Sequence, residues 1–196
     1  MPSSPALYLA SQSPRRLELL RQIGVDVEVV KISVPEQRQI AEAPEVYAER
    51  LAREKSVAGA SAATPLDRPV LGADTIVLLG EQVFEKPNNR LEAIEWLRQL
   101  SGKTHQVITA VAVTYRAQTL SVVNLTSVRF RPIAVDEAER YWLSGEPVDK
   151  AGGYAIQGLG AVFVERIEGS YSAVVGLPLR ETAELLAKFN IPIWQH

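Results

Sequence analysis

Short apolar runs rich in β-branched residues alternate along this chain with segments of helical period. That alternation constrains the fold more than any single motif does. Ala6–Ala10 reads as a short strand. Pro14–Ile23 follows with Leu17, Leu20 and Ile23 at three-residue steps, and Gly24 stands where a helix C-terminal glycine belongs. Val25–Ile32 reads as a strand and Ser33–Ala43 as a charged loop. Pro44 suits a first helical turn and opens a second helix to about Ala60. Strands are predicted over Pro69–Leu79 and Val83–Glu85. A helix is predicted over Asn89–Leu100, with Leu91, Ile94, Leu97 and Leu100 on its apolar face. Val107–Tyr115 and Leu120–Arg131 are long strand segments joined by a polar turn, a pattern that fits an antiparallel hairpin. The pattern closes with a helix over Ala134–Ser144 that turns Glu137, Glu139 and Arg140 outward. A loop punctuated by Gly152, Gly153, Gly158 and Gly160, a strand over Ala161–Ile167 and a helix over Arg180–Phe189 follow. The expected fold class is α/β, mixed α+β. With 196 residues and no linker or repeat, one domain over 1–196, built as two lobes around a cleft, is expected.

What the chain lacks narrows its chemistry. Cys is absent, and the two His are His105 and His196. Disulfide scaffolds, zinc fingers, iron–sulfur sites and a Cys nucleophile are excluded, and a Ser–His–Asp triad has only those two histidines to use. Hydrolysis then falls to carboxylates, Lys, Arg, hydroxyls or a bound hard metal. Lys and Arg number 21 against 23 Asp and Glu, a formal charge of −2. That balance gives no reason to expect nucleic-acid or membrane-surface binding, although it is compatible with a local basic pocket. The stretch before Arg15 lacks the basic flank of a signal peptide, and no window approaches the roughly 18 apolar residues of a membrane helix. A soluble cytoplasmic protein is expected.

Within this frame a few segments carry chemistry. In Leu9-Ala-Ser-Gln-Ser-Pro-Arg-Arg16 a strand ends, Ser13 is placed to cap a helix and Pro14 to begin it. Arg15 and Arg16 then occupy the first turn, where the helix dipole favours acids instead. Hydroxyls, backbone N–H groups and two guanidiniums converge on what reads as a phosphate site. A capped surface helix with solvated arginines is the alternative. Gly72-Ala-Asp-Thr75 places a carboxylate in an apolar run, costly unless paired or liganded. Asp74 is a candidate general base or metal ligand at a strand end, or a carboxylate that bonds a backbone turn. Lys55, on a charged helix stretch, and Lys86, before Pro87, are candidate triphosphate ligands, and solvated lysines otherwise. Glu36, in an exposed loop, is a candidate ligand for a hard metal, or ordinary loop charge. Gln157, in a glycine-rich loop closed by Gly158, carries the donor and acceptor that suit reading a base edge; a long structural loop is the alternative.

Two look-alikes are set aside. Ser101-Gly-Lys-Thr-His105 has the tail of a phosphate-binding P-loop, but position 97 is Leu where Gly is required. Gly158-Leu-Gly160 lacks a third glycine and precedes a strand, so it is no dinucleotide fingerprint.

Taken in order, these segments resemble the Maf family of nucleotide pyrophosphatases. The resemblance rests on Ser11-Gln-Ser-Pro-Arg-Arg16, Glu36, Arg53-Glu-Lys55, Gly72-Ala-Asp-Thr75 and Glu85-Lys-Pro87. It continues through Ser101–His105, Asp149–Gly158 and Gly169–Pro178, and runs from about Leu7 to Phe189. The loop Gly153-Tyr-Ala-Ile-Gln157 is similar to that of the branch acting on dTTP and UTP and differs from the branch acting on 7-methyl-GTP. Pro35 stands where many members carry a second acidic residue.

The resemblance implies a long curved mixed sheet flanked by helices, similar to the inosine triphosphate pyrophosphatase fold. It implies a cytoplasmic homodimer that uses Mg2+ or Mn2+ to hydrolyse a nucleoside triphosphate to the monophosphate and pyrophosphate. By carry-over, Asp74 is the proton acceptor, with Glu36 and Asp74 as metal ligands. Ser11, Ser13, Arg16, Lys55 and Lys86 bind phosphate, and Arg15, Thr75 and Gln157 set specificity. Arg15 also stands beside the phosphates. Family proteins have been named as inhibitors of septum formation. A non-catalytic nucleotide-binding regulator of division is therefore the rival from another class, the 7-methyl-GTP branch is the alternative within the enzymes, and a nucleic-acid-binding protein is disfavoured by the charge.

Overall fold

The computed structural model describes residues 6–63 and 67–194. His196 lies outside the described residues. In chain order, β1 (Leu7–Leu9) leads to α1 (Pro14–Gln22) and β2 (Val27–Val29), and α2 (Pro44–Ala62) precedes β3 (Val70–Leu79) and β4 (Gln82–Phe84). Next come α3 (Arg90–Leu100), β5 (Thr104–Tyr115), β6 (Gln118–Phe130) and α4 (Val135–Leu143). Three 3-10 turns, Glu146–Asp149, Ala151–Gly153 and Leu159–Phe163, lead to β7 (Val164–Glu168), α5 (Tyr171–Val175) and α6 (Leu179–Ala187).

The strands form one mixed sheet in the order β2-β1-β3-β5-β6-β7, with β4 paired to β3. β1 runs parallel to β2 and to β3, as βα alternation requires, whereas β4 on β3 and β7 on β6 are antiparallel. β5 and β6 are neighbours joined by residues 116–117, which makes them the expected hairpin. The fold is therefore mixed α/β, a large mixed sheet with helices. The chain divides into two compact units, each discontinuous in sequence. The first takes the described residues of Met1–Asp74, Thr109–Asn124 and Gly176–His196, and the second those of Thr75–Ile108 and Leu125–Val175. The chain passes from one unit to the other within β3, β5 and β6.

In the first unit α2 lies directly on the parallel strands. Tyr47, Ala48, Leu51, Ala52, Lys55, Ser56 and Gly59 form its buried face. Gly72 is what permits this. A Cβ there would lie 2.4 Å from the Ser56 backbone nitrogen and 2.5 Å from the Ala52 carbonyl oxygen. Any side chain at 72 would drive helix and strand apart. In the second unit an aromatic cluster forms the core. Phe130 packs edge-on to His105 and Tyr154 with ring centres 4.7 Å away in each case, and Tyr141 packs edge-on to Phe163 at 5.1 Å.

Several expectations are corrected. β2 covers only Val27–Val29 of the expected Val25–Ile32, the three residues in register with Leu7–Leu9 of β1. Leu91 is 76% exposed; the inner face of α3 is Ala93, Leu97 and Leu100, an i, i+4, i+7 stripe that the three-residue steps misplaced. Glu137 does not point away from the protein. It pairs with Arg131 at 2.7 Å and accepts the Ala134 N–H at 3.0 Å, which closes the start of α4. Ala161–Phe163 is a 3-10 turn, and the strand begins only at Val164.

Candidate active site

Asp74 stands in the middle of β3, not at a strand end as expected. Alternation along β3 sends its side chain to the opposite face from Thr75. The carboxylate is buried, 6% exposed, and its burial is compensated by Lys55 from the inner face of α2. Lys55 Nζ donates to Asp74 Oδ1 at 2.7 Å. The same ammonium pairs with Glu36 Oε1 at 2.5 Å. Lys55 is thus no solvated helix lysine; it is 8% exposed and joins two carboxylates from separate segments.

Glu36 reaches this point from the loop between β2 and α2, and that loop is pinned by residues with no motif of their own. Arg50 on α2 donates to both oxygens of Glu42, at 2.6 and 2.9 Å, and to the Gln37 carbonyl at 3.0 Å. Glu42 also accepts the Gln39 N–H at 3.0 Å. The Arg50 hydrogen bond, reinforced by that N–H against the effect of burial, holds the Glu42 carboxyl down at about 2. Nothing in the sequence separates this pair from other surface charges.

Arg16 comes from the first turn of α1. Its Nη1 donates to Ser11 Oγ at 3.1 Å and its Nε to the Gly176 carbonyl at 3.0 Å, so the C-terminal signature segment meets the N-terminal one at this guanidinium. Burial lowers the Arg16 pKa, with the charge of Asp74 raising it, Arg15 lowering it and Glu36 raising it. Those influences place Arg15, Arg16, Asp74 and Glu36 in one electrostatic neighbourhood. Ser13 occupies the N-cap position, but its side chain makes no cap hydrogen bond. Instead its backbone N–H is bound by Ser11 Oγ at 3.2 Å, and Pro14 supplies the helix start without a cap.

The first unit thus brings Ser11, Arg15, Arg16, Glu36, Lys55 and Asp74 together, three cations around two carboxylates. Thr75, Lys86 and Gln157 belong to the second unit. There Lys86 is exposed beyond β4, and the preceding Glu85 carbonyl accepts the Gly152 N–H at 2.9 Å, which ties this turn to the glycine-rich loop. Gln157 is exposed between buried Ala155–Ile156 and buried Gly160. His105 is buried against Tyr154, Nε2 to hydroxyl 2.8 Å, and burial lowers its pKa to about 4. It is a neutral core residue with no place in a triad.

The donor set suits a hard cation. Asp74 and Glu36 offer oxygen only, and both aim at one position of positive charge, that of the Lys55 ammonium. A divalent ion of the Mg2+ type needs one or two such carboxylates when substrate phosphates and water complete its shell. No group of three or more His, Cys, Asp or Glu that could hold an ion by itself occurs among the described residues.

Comparison with known proteins gives the same grouping. The family described as Maf-like protein matches residues 6–189. The chain belongs to the Maf family. Among its Maf relatives, a protein of Saccharophagus degradans named dTTP/UTP pyrophosphatase is 55% identical over 99% of this chain and 93% of its own length. One of Pectobacterium atrosepticum with the same name is 57% identical over 93% and 92%. One of Salmonella typhimurium, again so named, is 55% identical over 94% and 93%. The segments that sequence reasoning singled out as Maf-like thus lie inside the matched span. Arg50 and Glu42, which pin the Glu36 loop, lie outside those segments, and Gly72 lies inside one without its packing role being legible there.

Proposed function

We propose that this chain is a nucleoside triphosphate pyrophosphatase that hydrolyses dTTP and UTP to the monophosphate and pyrophosphate. The observation that carries the reading is the Lys55 bridge between Asp74 and Glu36, set beside Arg16 in a chain more than half identical to dTTP/UTP pyrophosphatases. Asp74 accepts the proton of the water that attacks the α-phosphorus. Lys55 fixes the direction of the Asp74 carboxylate through its Oδ1. Arg16, held by Ser11 and Gly176, meets phosphate with a fork that loses little freedom on binding. Arg15 adds charge where negative charge grows on the leaving pyrophosphate, and family resemblance supports a phosphate-binding role for Lys86. Ser11 and Ser13 line the turn at the start of α1.

Glu36 and Asp74 would hold Mg2+ or Mn2+. Such an ion, when bound, polarises the phosphoryl oxygens and stabilises the departing pyrophosphate. Arg15, Thr75 and Gln157 discriminate the nucleobase, an assignment supported by family resemblance. The same resemblance supports a cytoplasmic homodimer. No described helix is long and apolar enough to cross a membrane.

The test is product analysis with Mg2+ and a panel of dTTP, UTP, GTP and 7-methyl-GTP. Monophosphate and pyrophosphate from dTTP and UTP, with little from 7-methyl-GTP, is the expected result. A diphosphate product with free phosphate would place cleavage at the β–γ bond instead of the α–β bond. Binding without metal-dependent turnover would favour a regulator.

A further inference from the structure

The loop that presents Gln157 is held on both sides by one pair of side chains outside every motif discussed so far. Tyr141 lies on α4, and Glu146 opens the 3-10 turn that follows. The Tyr141 hydroxyl donates to Glu146 Oε1 at 2.6 Å and accepts the Ala155 N–H at 3.0 Å. The Glu146 carboxylate accepts the Leu159 N–H on Oε2 at 2.9 Å and the Gly160 N–H on Oε1 at 2.9 Å. The backbone is therefore tied to the same pair just before Gln157 and just after it. Gly158 leaves room for this clamp: a Cβ there would lie 2.1 Å from Glu146 Oε2 and would displace the carboxylate. Burial pushes the Glu146 carboxyl up, but the Tyr141 hydroxyl, the N–H groups of Gly160 and Leu159 and the charge of Lys150 outweigh it and hold it below its ordinary value. It remains an acceptor for all three donors.

We propose that Glu146 and Tyr141 are positioning residues for nucleobase discrimination, fixing how the Gln157 amide is presented without touching substrate themselves. The proposal rests on the reading of Gln157 given above. An amide offers a donor on one side and an acceptor on the other, so it distinguishes bases only if its direction is fixed. A hydrogen bond to the base that is no longer well aimed costs roughly tenfold in affinity. Glu146→Gln replaces one acceptor oxygen by an NH2 that would face an N–H donor. Tyr141→Phe removes the hydroxyl alone and leaves the ring in the aromatic core.

The experiment measures kcat and KM for dTTP, UTP and GTP in the wild type, Glu146→Gln, Tyr141→Phe and Gln157→Ala, with amide hydrogen exchange over residues 155–160. In both clamp variants the KM for dTTP should rise about tenfold with kcat within about twofold of wild type. The dTTP-to-GTP ratio of kcat/KM should shift in the same direction as in Gln157→Ala, and exchange over the loop should quicken. If Glu146→Gln does not fold, Tyr141→Phe carries the test. A shifted ratio in Gln157→Ala with an unchanged one in the clamp variants overturns the proposal and leaves the reading of Gln157 standing. An unchanged ratio in Gln157→Ala overturns that reading and the proposal with it. A fall in kcat at constant KM and ratio marks general damage and also overturns it.

Discussion

Gly72→Ala adds one methyl group two residues before Asp74, at the point where α2 rests on β3. The new carbon would lie 2.4 Å from Ser56 N, 2.5 Å from Ala52 O and 3.0 Å from the Lys55 carbonyl carbon. All three are helix backbone, so no side chain can swing aside. Restoring ordinary contact requires helix and strand to separate by about 1 Å, and the moving turn carries Lys55. Overpacking of this kind costs about 3 kcal/mol. For a chain of this length that is a fall in Tm of roughly 6–12 °C. The same movement stretches the 2.7 Å Lys55–Asp74 bond, and a shift of that size in a catalytic group costs on the order of a hundredfold in rate. Calorimetry and steady-state kinetics with dTTP read the two effects separately. A variant that melts with the wild type and keeps its kcat/KM would refute the claim that flush packing at Gly72 sets the Lys55–Asp74 geometry.

Other substitutions probe other links. Asp74→Asn should abolish turnover while nucleotide binding, read by calorimetry, persists; retained turnover would remove Asp74 as the base. Lys55→Met leaves two carboxylates facing each other and should lower stability by about 3 kcal/mol, with Mg2+ restoring part of the loss; an unchanged urea midpoint would count against the bridge. His105 gives a pH dependence of defined sign. Burial lowers its pKa from 6.5 to about 4, so the unfolded chain binds a proton that the folded one refuses between those values. Its contribution is complete above pH 6.5 and drains away as pH falls towards 4. Between pH 7.5 and 4.5 the wild type should lose roughly 2–3 kcal/mol more than His105→Gln in urea titrations. Parallel curves would contradict the burial argument.

The sequence displayed the site's reactive groups better than the structure that aims them. Asp74 was conspicuous because a carboxylate in an apolar run carries a desolvation cost, and Arg15 and Arg16 because cations sit badly at a helix start. Lys55 had no such mark: in the letters it lies among Arg53, Glu54 and other helix charges, and only the register of α2 against β3 turns it inward. Gly72 looked like the entry to a motif, yet its job is to let two backbones touch, a demand visible only when both are in place. Glu42 and Arg50 pin the loop of Glu36 by pairing across the start of α2, and Glu146 pairs with backbone that follows it by more than ten residues. Such contacts leave no periodicity to read. Among the elements, long apolar runs were legible, whereas Leu91 and Ala161–Phe163 were misplaced because three-residue steps and apolar content fit more than one backbone.

Attack at the α-phosphorus is tested most directly by following oxygen. dTTP is hydrolysed with Mg2+ in water enriched in oxygen-18, and the products are separated and weighed by mass spectrometry. Water activated by Asp74 at the α-phosphorus puts the label in dTMP and leaves pyrophosphate unlabelled. Label in the pyrophosphate, with unlabelled dTMP, would mean attack at the β-phosphorus and would contradict the mechanism.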